Sequence, residues 1–207
     1  MTDRDLVRHY WPVELRPAFD ALFAIDDALG DVVTSSTQPA LGAIRLAWWR
    51  EALERLDNAP APPEPRLGGA ALELLPRGVT GAMLAELEDG WAALLDDEPD
   101  TERISARGAK LFAVGSQLLG ADDPLLAIAG RLFANEQVAR KRLLEVHFST
   151  EELDQLAGHR FARRLRPLTA LTRLAARDAR QSPAIEPEAT PGRAVALLSH
   201  KLFGIVA

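Results

Sequence analysis

With 207 residues and a hydrophobic share of 47%, the chain can bury one core but is short for several, so one domain spanning residues 1–207 is expected. A formal charge of −6 argues against a general nucleic-acid binder. The sequence contains no Cys, which excludes disulfides, thiolate metal sites and cysteine nucleophiles and fits a reducing cytoplasm.

Abundant Ala and Leu favour helices, and no alternating strand pattern is evident. The opening residues MTDRDLVRHYW lack the apolar run of a signal peptide, and nowhere do about 18 apolar residues follow one another. No transmembrane segment is expected, and any membrane contact is peripheral. A first helix starts near Pro12 or Pro17, with Ala18, Leu22, Ile25, Leu29 and Val32 on one stripe and Phe19, Asp26 and Val33 on its border. Asp27 and Asp31 fall opposite. Their D-x-x-x-D spacing puts two carboxylates on one helical face where they could share Mg²⁺, although that face is a solvated one by the same geometry.

The densest signature is LGAIRLAWWREALERL, Leu41 to Leu56, whose Leu41, Ile44, Trp48, Trp49, Ala52, Leu53 and Leu56 recur at helical spacing. Arg45 falls on the side expected to be buried. It then either stacks on Trp49 and meets a carboxylate or acts as an anion clamp lining a cavity. A Pro/Gly-rich linker near 57–69 follows, then a short helix from Ala70 to Leu75 and a helix from Thr80 to Leu95 carrying Met83, Leu84, Leu87, Trp91 and Leu94. The acidic run DDEPD at 96–100 reads as solvated charge.

Thr101 to Leu119 forms the next helix, with Ala109, Ala113 and Gly115 permitting close packing and Gly120 as its stop. Pro124 to about His147 is read as one helix with a stripe of Leu125, Ile128, Leu132, Ala139, Leu143 and Val146. Glu136 lies within that stripe and Arg140 one turn later, an i,i+4 ion pair in the favourable order. A Ser149–Glu152 capping box starts the following helix, and Pro167 interrupts the pattern before LTALTRLAARDAR. A second linker near 181–190 precedes a final helix begun by Thr190 and Pro191, with Val195, Leu198, Leu202 and Phe203 as its apolar face.

His9, His147, His159 and His200 show no metal-ligand spacing and read as surface or helix-end residues, and no nucleophile elbow, phosphate loop or dinucleotide fingerprint occurs. Arg160, Arg163, Arg164, Arg166, Arg173, Arg177 and Arg180 make a basic zone, read as a solvated face or as contact with an acidic partner or anionic lipid. The internal site best supported is a polar cluster of Asp26, Arg45, Glu136 and Arg140 inside an all-α bundle.

Trp11-Pro12, Arg16, Leu22-Phe23-Ala24-Ile25 and the Leu41 stretch together resemble the squalene/phytoene synthase family, and SARGAKLFAVGSQLLG and AGRLFANEQVARK extend the resemblance over most of the chain. The family implies an isoprenoid-synthase helical bundle around a central cavity, in which two aspartate-rich motifs hold Mg²⁺ and condense prenyl diphosphates. Carboxylate-held Mg²⁺ neutralises the departing diphosphate. By register, the first motif's aspartates fall at Gly30 and Thr34, with only Asp31 matched, and the second motif's at Lys141 and Glu145.

The resemblance is nearest to the short divergent branch that includes the mitochondrial respiratory complex I assembly factor. It therefore implies a degenerate, non-catalytic binding or assembly protein of the cytoplasm or a membrane periphery, with no cofactor and a hydrophobic ligand or protein partner. The rival is a Mg²⁺-dependent prenyltransferase using Asp27, Asp31 and Glu145 as metal ligands. A further alternative is a hydrophobic-ligand carrier.

Overall fold

A computed structural model describes residues 2–181 and 185–206, and these are all-helical apart from an antiparallel bridge between Arg160 and Ile205. Residues 182–184 of the second predicted linker lie outside the described residues.

The chain opens with a helix the periodicity does not reveal, α1 (Asp3–Arg8), closed by a Thr2–Asp5 capping box. Helix α2 (Arg16–Ser35) occupies the interior. The expected stripe is buried, and Phe19, Phe23, Ala28 and Gly30 are buried too. Three aromatic rings lock its start: Trp11 stacks on Phe19 and Phe23 at 4.8 and 5.5 Å, and the Trp11 indole donates to the Pro167 carbonyl at 3.1 Å.

Helix α3 (Pro39–Arg55) starts two residues before the predicted Leu41–Leu56 stretch and ends one residue short of it, and its predicted stripe is split. Trp49, Ala52, Leu53 and Leu56 are buried together with Leu46, whereas Leu41, Ile44 and Trp48 are 53, 66 and 48% exposed. Seven positions spread over too wide an arc for a single neighbour to cover.

The first linker is shorter than expected. Helix α4 (Pro65–Glu73) begins at a proline suited to a first turn, and the Glu64 carboxylate accepts from the Leu67 amide at 2.8 Å. The helix expected over 80–95 is broken into α5 (Gly81–Ala85) and α6 (Glu88–Ala92) with a 3₁₀ turn at 93–95. Asp57 on the preceding turn accepts from the Gly81 and Ala82 amides, anchoring the N-terminus of α5 under α3.

Helix α7 (Thr101–Leu119) keeps its predicted limits, from an Asp100 cap to left-handed Gly120. It packs on α8 (Leu126–Arg140) with backbones in contact. A Cβ on Gly108 would stand 1.9 Å from the Gly130 carbonyl oxygen, so these two glycines set the approach; Ala113 is exposed.

Helix α8 ends at Arg140, seven residues before the predicted end. Arg142 adopts φ 56° and the Leu143 amide turns back to the Val138 carbonyl at 3.1 Å, a Schellman closure without its usual glycine. Leu143 and Val146 consequently leave the predicted stripe and lie in irregular chain. Short α9 (Thr150–Leu156) is capped by Ser149, and α10 (Arg166–Gln181) carries Pro167 in its first turn.

The last helix, α11 (Pro191–Phe203), packs on α10 and α1. Its orientation is the reverse of the expectation. Arg193, Ala196, Leu197 and His200 face the protein, while Val195, Leu198, Leu202 and Phe203 are 67, 53, 62 and 54% exposed. Both α11 edges are polar or small, so the alternation of residue types fits either rotation, and docking of Arg193 and His200 decides between them.

Candidate functional site

Two polar clusters lie inside the bundle. In the first, Asp26 of α2 meets Arg107 of α7, both side chains fully buried, with Asp26 Oδ1 accepting from Arg107 Nη1 at 2.5 Å and from the Trp91 indole of α6 at 2.9 Å. The guanidinium lies 4.1 Å over the Trp91 ring and donates through Nη2 to Gln137 Oε1 of α8 at 2.9 Å. Four helices thus converge on one ion pair. Among the described residues, Asp26 Oδ2 and Arg107 Nε have no hydrogen-bond partner. One charge is matched by one charge, but the bonding is incomplete.

The second cluster joins both ends of the chain. Arg193 of α11 donates to both Asp178 oxygens at 2.7 and 2.8 Å and to Asp3 Oδ2 at 2.8 Å, while Arg140 bonds Asp178 and Glu136 at 2.5 Å each. Asp3 Oδ1 also accepts from the Ala189 amide at 2.9 Å. Three carboxylates here share two guanidiniums. Burial pushes the Glu136 carboxyl up to about 7; Arg140 opposes that rise and Asp178 adds to it.

The proposed four-residue cluster is thus only partly assembled. Asp26 belongs to the first group, and Glu136 and Arg140 belong to the second. Arg45 belongs to neither: it is exposed on α3 and donates to the Ser35 and Ser36 hydroxyls at 3.2 and 3.5 Å. Its helix turns the Arg45 position outward with Leu41 and Ile44, so no carboxylate is required.

The candidate Mg²⁺ ligands are engaged elsewhere. Asp27 is paired with Arg4, and Asp31 with Arg66 at 3.0 Å. Gly30 lies against the Trp91 ring, where a Cβ would stand 2.9 Å from Cη2, and no longer side chain fits without displacing the indole. Thr34 is exposed; Lys141 and Glu145 lie beyond the end of α8, exposed in irregular chain. These side chains do not fit a diphosphate-holding Mg²⁺ pair. Among the described residues no three His, Asp or Glu side chains converge as a metal site.

Arg107, Asp178, Arg193 and Asp3 were not singled out from the sequence. Arg107 follows Ile104 by three and precedes Leu111 by four, and Asp178 follows Leu174 by four and Leu171 by seven, so a charge placed in phase with an apolar stripe is the available signal. His200 stands in the last turn of α11, one of the helix-end positions expected, but it is buried rather than on the surface. Its ring lies 2.9 Å from the Thr169 hydroxyl and 3.0 Å from the Ile205 carbonyl, and burial lowers its pKa to about 4. His159 contacts Asp123 at 2.9 Å.

A partly open cavity of about 700 Å³ lies beside the end of α8, lined by Leu143, Leu144, Val146, Phe148 and Ile185 with Arg142 and Glu145. No described helix is long and apolar enough to cross a membrane. No family model, curated protein or solved structure matches this chain.

Proposed function

We propose that the chain is a squalene/phytoene synthase-like protein of degenerate diphosphate motifs, working as a non-catalytic binding or assembly protein. The observation that carries this reading is Gly30. The register of the resemblance puts a metal-holding aspartate there, and the Trp91 ring fills the space a side chain would need. The neighbouring Asp26 is drawn into the Trp91–Arg107 group, and the register-shifted pair Asp27 and Asp31 is neutralised by Arg4 and Arg66. Leu41, Ile44 and Trp48, spaced along one outward face of α3, supply an apolar surface of the kind that marks protein contacts.

The carrier reading has its own support in the 700 Å³ cavity, whose lining is mostly Leu, Val, Phe and Ile. Calorimetric titration with a non-hydrolysable farnesyl diphosphate analogue, with and without Mg²⁺, and with farnesol, separates the readings. The binding or assembly protein gives no Mg²⁺-dependent heat. Mg²⁺-dependent binding that disappears in Asp27→Ala restores the prenyltransferase, and Mg²⁺-independent binding of both ligands that disappears in Leu143→Asp favours the carrier.

A further inference from the structure

The outer face of α11 has a composition unlike a water-facing helix. Val195, Leu198 and Leu202 recur three and four residues apart, Phe203 widens the stripe, and each is more than half exposed. On a surface helix these positions are ordinarily polar. The other face is already committed, since Arg193, Ala196, Leu197 and His200 dock the helix onto the bundle.

The charges around the C-terminal end of this stripe are predominantly positive. Lys201 and Leu202 share a surface cleft with Arg163, Arg166 and Tyr10, and Arg164 lies on the adjoining cleft with Arg163. Arg166 is occupied, donating to the Lys201 and Leu202 carbonyls at 2.9 Å each. Among the described residues Arg163 and Arg164 are exposed and form no ion pair, and the Lys201 ammonium rests 4.4 Å over the Tyr10 ring. No Asp or Glu occurs between residues 155 and 177 or between residues 189 and 207, so this basic edge is not offset by its own segments, although the whole chain is acidic. Glu14 is the carboxylate on the adjoining cleft.

We infer that α11 is an interfacial helix that seats the protein on an anionic lipid surface, with Val195, Leu198, Leu202 and Phe203 entering the acyl boundary and Lys201, Arg163 and Arg164 meeting the headgroups. An apolar stripe with a cationic edge is the composition such helices share. Tyr10 beside Lys201 adds an aromatic ring with a polar tip at headgroup level. A second copy of the chain suits this face poorly. Parallel two-fold pairing of identical stripes brings the Lys201, Arg163 and Arg164 groups of both copies toward each other, and antiparallel pairing leaves those cations at opposite ends with no anion to meet them. The α3 face differs: its apolar residues are interspersed with Arg45, Arg50 and Arg55 and with Glu51 and Glu54, a mixed-sign border suited to a protein.

The test is flotation of the full chain with vesicles of phosphatidylcholine alone and of equimolar phosphatidylcholine and phosphatidylglycerol, at low and high salt. At about fivefold per basic side chain, three such groups give binding on the order of a hundredfold tighter to the anionic vesicles at low salt. The double variant Leu198→Asp/Leu202→Asp, at exposed positions and with an unchanged helical circular dichroism spectrum, loses binding to both vesicle types. Arg163→Gln/Arg164→Gln/Lys201→Gln loses the anionic preference. Equal binding to both vesicle types, no binding by the unaltered chain, or binding unmoved by the Leu198 and Leu202 changes overturns the inference. A concentration-dependent dimer abolished by those changes, without vesicle binding, overturns it in favour of a second copy.

Discussion

The two buried clusters solve the same problem in opposite ways. Around Asp26 and Arg107 the charges match one to one, yet an oxygen and a nitrogen are left without partners. Around Asp178 the bonding is dense, with both oxygens held by Arg193 and one also by Arg140, yet three carboxylates face two guanidiniums. The first cluster is therefore most sensitive to losing a charge, and the second to gaining or losing a proton. Charge balance and hydrogen-bond saturation are separate requirements of a buried polar group.

The largest effect is expected for Arg107→Met, which leaves Asp26 buried against Trp91 without its cation and costs about 3–5 kcal/mol in urea unfolding. The double variant Asp26→Leu/Arg107→Met recovers most of that loss, because no uncompensated charge remains. Should the double variant be as unstable as the single one, the pair contributes more than charge balance.

Arg193→Met is next, at about 2–3 kcal/mol, since Asp178 keeps Arg140 while Asp3 loses its guanidinium. Hydrogen exchange should then open α1 and α11 before α7 and α8. Uniform loss of protection would show that the second cluster holds the whole bundle instead.

The pH dependence separates the clusters further. Glu136 ionises near 4.5 when unfolded and about 7 when folded, so the native state holds the extra proton between those values. The Glu136 contribution to stability therefore falls as pH rises through that window, by up to about 1.4 kcal/mol per pH unit. Glu136→Gln removes this slope and makes the protein more stable than the unaltered chain at pH 8. His200 works in the opposite sense with a shift of similar size, so the net slope in the intact chain is the smallest effect. Its folded pKa of about 4 lies below the unfolded 6.5, so its contribution is complete above 6.5 and is lost as pH falls toward 4. The two slopes oppose one another, so acid sensitivity should emerge clearly in the Glu136→Gln background and vanish again on adding His200→Gln, as read by denaturant unfolding from pH 4 to 8.

Much of the fold can be read in advance where local signals agree. Helix α7 keeps its expected limits because the periodicity and Gly120 agree, while the Asp100 cap at its start hides in a run that reads as solvated charge; α2 buries its predicted stripe. The end of α8 was hidden because Arg142 takes a left-handed conformation that sequence assigns to glycine. On α3 and α11, periodicity identified apolar faces but could not say what covers them. The Glu136–Arg140 pair was legible because it is local. Arg107 and Arg193 were not assigned, since their partners Asp26 and Asp178 come from other helices and only the completed packing selects them.

The bond between Asp3 and Arg193 spans 190 positions. Contacts of such separation place a chain toward the slow end of folding for its helical content. During synthesis, Asp178, Glu136 and Arg140 leave the ribosome before the arginine that completes their group, so α8 and α10 emerge with an acid-rich junction they cannot yet neutralise. Docking of the first and last described helices then waits until α11 has been synthesised, and a nascent chain stalled before Arg193 would present that junction to chaperones.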